Sequence, residues 1–268
     1  MACVMLCASV TAADDRPTGD SSSSALQAAQ QTIPWQALSA AQQQAVAEVV
    51  NDSTLFRRLP TRVIDCDAEL FDHLAEHPEL VVETWNLMGV SQVGLRRTGP
   101  NNYSATDAAG GQGSIQILDR RQEANGVTHV LAYARGIYRA PPMPASLTAT
   151  TVMVMRSHPH REANGRTHIT TEMDAFIRLD RPAAELVMRT LKPLVTRTAD
   201  HNFVETMRFV SLFSRTAEQN PEGMQRLAEQ LTEVDDATRA RFIAVCHRTA
   251  QRSLARRDER LRLASTGQ

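Results

Sequence analysis

Lysine is almost missing from this sequence. Lys192 is the only one in 268 residues, and the remaining basic charge is arginine, a bias that codon usage explains as readily as function. An excess of either charge is missing too: 29 basic and 30 acidic residues give a net charge of −1. That balance excludes a chain that is basic all over and holds nucleic acid through general charge. No stretch reaches the roughly 18 consecutive apolar residues of a membrane-spanning helix. Cysteine is scarce: Cys3 and Cys7 lie in the first ten residues, and only Cys66 and Cys246 follow. Their spacing fits no clustered zinc site. A serine-centred nucleophile elbow, a phosphate-binding loop and a dinucleotide glycine pattern are all absent, so no catalytic signature is present.

What is there begins with a short apolar segment. Residues 1–10 are apolar and small, and Val10-Thr11-Ala12 fits a small-residue cleavage site. Residues 1–12 therefore read as a signal peptide without the usual positive n-region, and the protein is expected to be exported, periplasmic or secreted. The bulk of Leu6 argues against lipoprotein processing at Cys7. Cleavage would leave Cys66 and Cys246, which read as buried thiols behaving as small hydrophobes, a disulfide between them being the alternative. Residues 13–34 are polar and of low complexity, the composition of a disordered linker. Residues 35–57 read as an N-terminal helical extension, with Leu38, Ala41, Val46 and Val49 at helical spacing after Ser39.

The next segments alternate strand and helix signals. Residues 58–65 have strand character, and Asp67 caps a helix that places Leu70, Phe71 and Leu74 on one side. A second helix over 78–88 ends at Gly89. From Ser91 the period changes to two, giving strands over 93–98, 103–106, 113–118, 128–139, 147–156 and 167–179. Two near copies, Glu123-Ala-Asn-Gly126-Val-Thr-His129 and Glu162-Ala-Asn-Gly165-Arg-Thr-His168, mark hairpins through their Asn-Gly pairs. In the last strand Ile169, Thr171, Met173, Ala175, Ile177 and Leu179 share a face that should be packed. His168, Thr170, Glu172, Asp174 and Arg178 share the one that should be wet.

An apolar helical run follows over 181–217. Ala184, Val187, Met188, Leu191, Leu194, Val195, Phe203, Val204, Met207, Val210 and Phe213 form one stripe, and Pro193 predicts a kink. Further helices are predicted over 224–231 and 236–263. The last carries Arg248, Arg252, Arg256 and Arg260 at four-residue spacing. Such a stripe is a solvated helix face or, alternatively, a contact for an anionic membrane surface or an acidic partner.

The order of elements from Leu59 to Ala217 (strand, two helices, six-stranded meander, long helix) resembles the helix-grip fold of the START-like (SRPBCC) superfamily. The chain is also similar to uncharacterised exported bacterial proteins. The resemblance covers 58–219, with 220–268 left as a C-terminal helical extension. It implies an α+β fold, a curved antiparallel sheet wrapped on a long helix, with a cavity between them. Members of the superfamily bind lipids, sterols or polyketides, and some are cyclases or hydrolases. The expectation is therefore a binder or carrier of an apolar or amphipathic small molecule, with no cofactor and no nucleic-acid partner. A cyclase or hydrolase of the same fold and a scaffold with a filled core are the alternatives.

The expected cavity would be lined by Met153 and Met173, which sit beside Ala149, Thr151, Thr171 and Ala175. Trp85 and Met207 complete its apolar wall. His201 and Glu205, four residues apart on one helical face, could orient a ligand headgroup, bind a metal with a third ligand that the sequence does not place there, act as an acid/base pair or serve the structure alone. Arg135 is the strand residue expected to answer them. His158, His160 and His168 read as an exposed hairpin tip, because a two-residue Asn164-Gly165 turn would put His168 opposite Arg161. No metal site is predicted.

Overall fold

The structure, a computed structural model, describes residues 18–108, 110–138, 146–180 and 192–266. The segment expected to be a signal peptide and the first part of the predicted long helix, including Met188 and Leu191, lie outside them. The elements run α1 (Ser23–Gln30), a 3₁₀ turn (Trp35–Ala37), α2 (Ala40–Asn51), β1 (Leu55–Arg58), β2 (Arg62–Asp65), α3 (Ala68–Glu76) and α4 (Pro78–Leu87). The meander follows as β3 (Gly94–Gly99), β4 (Asn102–Thr106), β5 (Gln112–Gln122), β6 (Thr128–Tyr138), β7 (Leu147–Arg161) and β8 (Thr167–Leu179). Among the described residues three helices follow: α5 (Lys192–Gln219), α6 (Pro221–Glu229) and α7 (Asp236–Thr266). The strands form one eight-stranded curved sheet in the order β1-β8-β7-β6-β5-β4-β3, with β2 also on β8. The fold is α+β, and a meander followed by a long helix is consistent with the helix-grip plan.

Two expectations are corrected. The strand predicted over 58–65 is two strands, β1 and β2, parted at Leu59-Pro60-Thr61. Proline has no N–H to give the ladder, so the strand stops there. Leu59 N still donates to Met173 O (2.8 Å). The stretch 13–34 is not a linker where it is described, since it carries α1. Ser22 caps that helix by accepting from Ala25 N, and Asp20 exchanges backbone hydrogen bonds with Arg58. Ala25, Ala29 and Ile33 are buried. Serine, aspartate and glutamine make the stretch read as polar, but alanines one turn apart make a narrow apolar stripe that lets the helix lie close.

The described residues fall into two compact units, one drawn from 1–62, 92–157 and 171–205, the other from 63–91, 158–170 and 206–268. In the first unit, one sheet face is filled by large side chains. Phe56, Leu131, Val152, Val154 and Phe176 pack with Ala25, Ala29, Ile33, Leu38, Val46, Val49 and Val50 from α1, α2 and the turn between them. Ser39 starts α2 with a reciprocal capping box to Gln42, which fixes the chain direction into the helix. The face of β8 expected to be wet is therefore a second core: Phe176 is fully buried and packs on Phe56 at a tilt, with ring centroids 5.1 Å apart. Asp174 is buried there too, bonded by Arg58 Nε and Nη2 (2.8 and 3.0 Å).

In the second unit α3 and α4 pack with the second half of α5 and with α6 and α7 around Leu70, Phe71, Leu80, Val210, Phe213, Leu231 and Phe242. Asp67 holds this unit together in two ways. It caps α3 by accepting from Leu70 N (3.2 Å), and it accepts from Arg252 Nε and Nη2 (both 2.8 Å). The described part of α5 starts at Lys192, with Pro193 in its first turn.

Candidate functional site

The other sheet face of the first unit is built from smaller residues. Ala132 pairs with Met153, Ala134 with Thr151 and Gly136 with Ala149 across β6 and β7. On β5, Ile115 and Ile117 stand opposite Ala134 and Ala132. Ala132, Met153 and Ala175 form a small buried cluster, and Ile115, Ile117 and Ala134 pack on it while only partly buried. Bulk is divided unequally between the two faces, phenylalanine and valine on one and alanine, glycine and methionine on the other.

The polar insert of α5 meets this face at its edge. Arg57 is in register with Ala175, and its Nε donates to Asp200 Oδ1 (2.9 Å), with a second bond from Nη2 to Oδ2. Gly19 N also donates to Asp200 Oδ2 (3.0 Å). A side chain at Gly19 would meet Arg58 O at 2.2 Å, so only glycine fits. Asp200 is buried. It is thus an internal anchor, and the insert His201, Asn202 and Glu205 follows on the next turn, His201 half-buried and Glu205 exposed.

The second unit carries a different constellation. Rings run from Trp85 to Phe209 (5.6 Å, edge on), Phe213 (5.3 Å), Phe242 (5.6 Å) and His73 (6.2 Å), ending at His77 (4.7 Å from His73). His73 sits in the last turn of α3 and His77 at the α3–α4 junction, and both are buried. Burial, with His77 adding to it, pushes the His73 imidazole down to about 4, so it is neutral near neutral pH. Neither of its ring nitrogens has a hydrogen-bond partner. His77 Nδ1 lies 3.3 Å from Glu79 Oε1 and 3.5 Å from Thr238 Oγ1. One donor atom each from His73, Glu76 and His77 lie within 4.8 Å of one another.

No protein-family profile matches the chain, and no curated protein matches it either. Solved structures similar to it include a conserved protein from Geobacillus kaustophilus, at 11% identity and a TM-score of 0.34, covering 56% of this chain and 92% of that one. Another is the di-domain ARO/CYC BexL from the BE-7585A biosynthetic pathway, at 14% identity and a TM-score of 0.31, covering 64% of this chain and 54% of that one.

Of the residues expected to line one site, Met153 and Met173 belong to the first unit, as do Arg135, His201 and Glu205. Met153 is buried and Met173 half-buried, on the small-residue face. Arg135 is exposed, and the register places it with Leu131 and Tyr133 on the opposite face from Met153. Trp85 and Met207 are both buried in the second unit, Trp85 as the end of the aromatic chain. Three of the four arginines of the α7 stripe are engaged by carboxylates of their own unit: Arg248 by Glu69, Arg252 by Asp67 and Glu69, and Arg256 by Glu218. Cys66 and Cys246 are free, buried thiols.

The hairpin turns differ from the two-residue form expected. Glu123 N donates to Val127 O (2.8 Å) and Gly126 N to Glu123 O (2.9 Å), and Glu162, Gly165 and Arg166 repeat the pattern. Each is a three-residue Ala-Asn-Gly turn with the glycine at φ 84° or 79°, a conformation that costs glycine nothing. The Glu and His of each copy meet across it, Glu123 with His129 (2.8 Å) and Glu162 with His168 (3.2 Å). The sequence reading missed the histidine cluster altogether. Its signal was the run His73-Leu-Ala-Glu76-His77, two histidines four apart with a glutamate between them, a spacing that metal sites use.

Proposed function

We propose that the protein binds an apolar or amphipathic small molecule on the small-residue face of its sheet, beside the first half of α5. The observation that supports this is the partial burial of Ile115, Ile117 and Ala134 around the cluster of Ala132, Met153 and Ala175. An alanine- and methionine-rich surface has little bulk of its own and adapts to a guest of irregular shape. The opposite face, already filled by Phe56, Phe176 and their neighbours, has no such surface to give. His201 would orient the polar end of the guest, being half-buried one residue after the Asp200 anchor. The composition of residues 1–12 supports export to the periplasm or the medium. An acidic partner or anionic membrane on the α7 stripe would have to displace Glu69, Asp67 and Glu218 from the arginines.

Native mass spectrometry and organic extraction of protein purified from its host test the reading. A co-purifying apolar molecule, lost in Ala134→Trp while the circular dichroism is kept, is the expected result. Protein that carries nothing extractable, and that binds no N-phenylnaphthylamine, overturns it. His201→Phe should weaken probe binding and leave the fold standing.

A further inference from the structure

We infer that His73, Glu76 and His77 form a binding site for one zinc-like divalent cation at the α3–α4 junction. Three independent features lead there. The first is convergence: two imidazoles one helical turn apart and the carboxylate between them bring donor atoms within 4.8 Å of one another. Two nitrogens and a carboxylate oxygen are the donor set that zinc and its neighbours prefer, and a fourth position stays open to water.

The second feature is the state of His73. It is 3% exposed and neither ring nitrogen has a hydrogen-bond partner. A buried polar atom left unmatched is costly, and native structures almost always answer it with protein, water or an ion. His73 is wedged between Phe242, stacked on it, and His77. A leucine would fill that place at no electrostatic penalty, so the retained imidazole asks for a partner that the protein alone does not supply.

The third feature is the way His77 is held. Its Nδ1 faces the buried carboxylate of Glu79 at 3.3 Å, with Thr238 Oγ1 at 3.5 Å. Its Nε2 is turned toward Glu76 Oε2, 4.0 Å away. A histidine that gives one N–H to a carboxylate has its tautomer and ring orientation fixed, the usual outer shell of a metal-bound histidine. The positive group in the neighbourhood is Arg241, which approaches Glu76 Oε2 at 3.7 Å. That pair is loose and exposed, with 61% of the Arg241 side chain in solvent. A cation can take its place without stranding a buried charge.

The test uses the full chain, stripped with chelator and dialysed, then titrated with Zn²⁺ and separately with Co²⁺. One equivalent of Zn²⁺ should bind and raise the thermal midpoint, and Co²⁺ should give a visible ligand-field band that Zn²⁺ bleaches. Glu76→Gln, on a half-exposed side chain, should weaken binding at least tenfold. Glu79→Gln should weaken it roughly 10–100-fold through His77. His73→Gln should abolish the cobalt band. The double variant His158→Gln/His160→Gln should bind as the parent does. Absence of saturable binding in the parent overturns the site and leaves a buried water as the partner of His73. Binding that survives Glu76→Gln unchanged, or that disappears with the hairpin histidines, overturns it equally.

Discussion

At the scale of single residues, Asp200 shows how a polar group in an apolar helix can be structural. Its carboxylate takes both Arg57 bonds and the Gly19 N–H. The Arg57 and Asp200 side chains are only 14% and 10% exposed. Removing the acid strands the guanidinium, so Asp200→Ala should cost about 3–5 kcal/mol in chemical denaturation. His201→Phe, its neighbour, should cost under about 1 kcal/mol. If both variants unfold at the same denaturant concentration, the anchor assignment is wrong. Sequence reading could see that Asp200, His201, Asn202 and Glu205 interrupt an apolar stripe. It could not see which of them was spoken for, because the partners of Asp200 lie 143 and 181 residues away. Glu69 gives a pH-dependent case. The hydrogen bond from Arg248 lowers its pKa below its ordinary 4.5. A carboxylate with a depressed folded-state pKa adds stability above that ordinary value and loses it as pH falls through the folded one. Both side chains are more than 40% exposed, so the effect should stay below about 1 kcal/mol. Arg248→Gln should lower stability above pH 4.5 by less than about 1 kcal/mol and leave it unchanged where Glu69 is protonated in both states, which flattens the acid limb between the two.

At the scale of elements, β8 separates what periodicity reveals from what it hides. Its alternation is real, and Thr171 and Ala175 lie on the packed face as read from the sequence, both buried. The other face, with Glu172, Asp174 and Arg178, looked wet because two-residue alternation registers polarity and not cover. Phe176 lies among them and is fully buried beneath α1 and α2, while Arg58 neutralises Asp174. Of the covering helices, α2 reads as a helix from its valines, but the polar residues around Ala25 and Ala29 mask α1, and the sequence reading assigns neither to this face. Phe176→Ala should therefore destabilise by about 3–5 kcal/mol, the usual cost of deleting a buried phenylalanine. Glu172→Arg, which breaks a half-buried pair with Arg156 (3.0 Å), should cost less, about 1 kcal/mol. Equal thermal midpoints for the two variants would show that the α1–α2 face is not a core. Other elements were plain from their ends. Asp67 before α3, Pro78 at the start of α4 and Gly89 after it (φ 68°) are signals that work within a few residues, which is why local reading found them.

At the scale of the molecule, the meander and the long helix were legible because their order needs only counting, whereas the division into two units was not. Each unit is assembled from three separate stretches of chain, and no local pattern encodes which distant stretches will meet. The candidate metal site shows the same limit in small: His73 and His77 were visible, but their burial and the approach of Thr238 from α7 were not. Cys66 and Cys246 turn this division into a measurement. Both thiols belong to the second unit and both are buried. Burial pushes the Cys246 thiol up to about 12 and Cys66 higher still. Thiolate is the reactive form, so neither should react with Ellman's reagent at pH 8 in the native protein. In a Cys3→Ser/Cys7→Ser background the native chain should release no thionitrobenzoate over an hour, and two equivalents once urea opens the second unit. The labelling midpoint in urea should coincide with the fluorescence change of Trp85, which shares that unit, in a Trp35→Phe background. Fast labelling of either cysteine without denaturant would show that the second unit is open where it is described as closed.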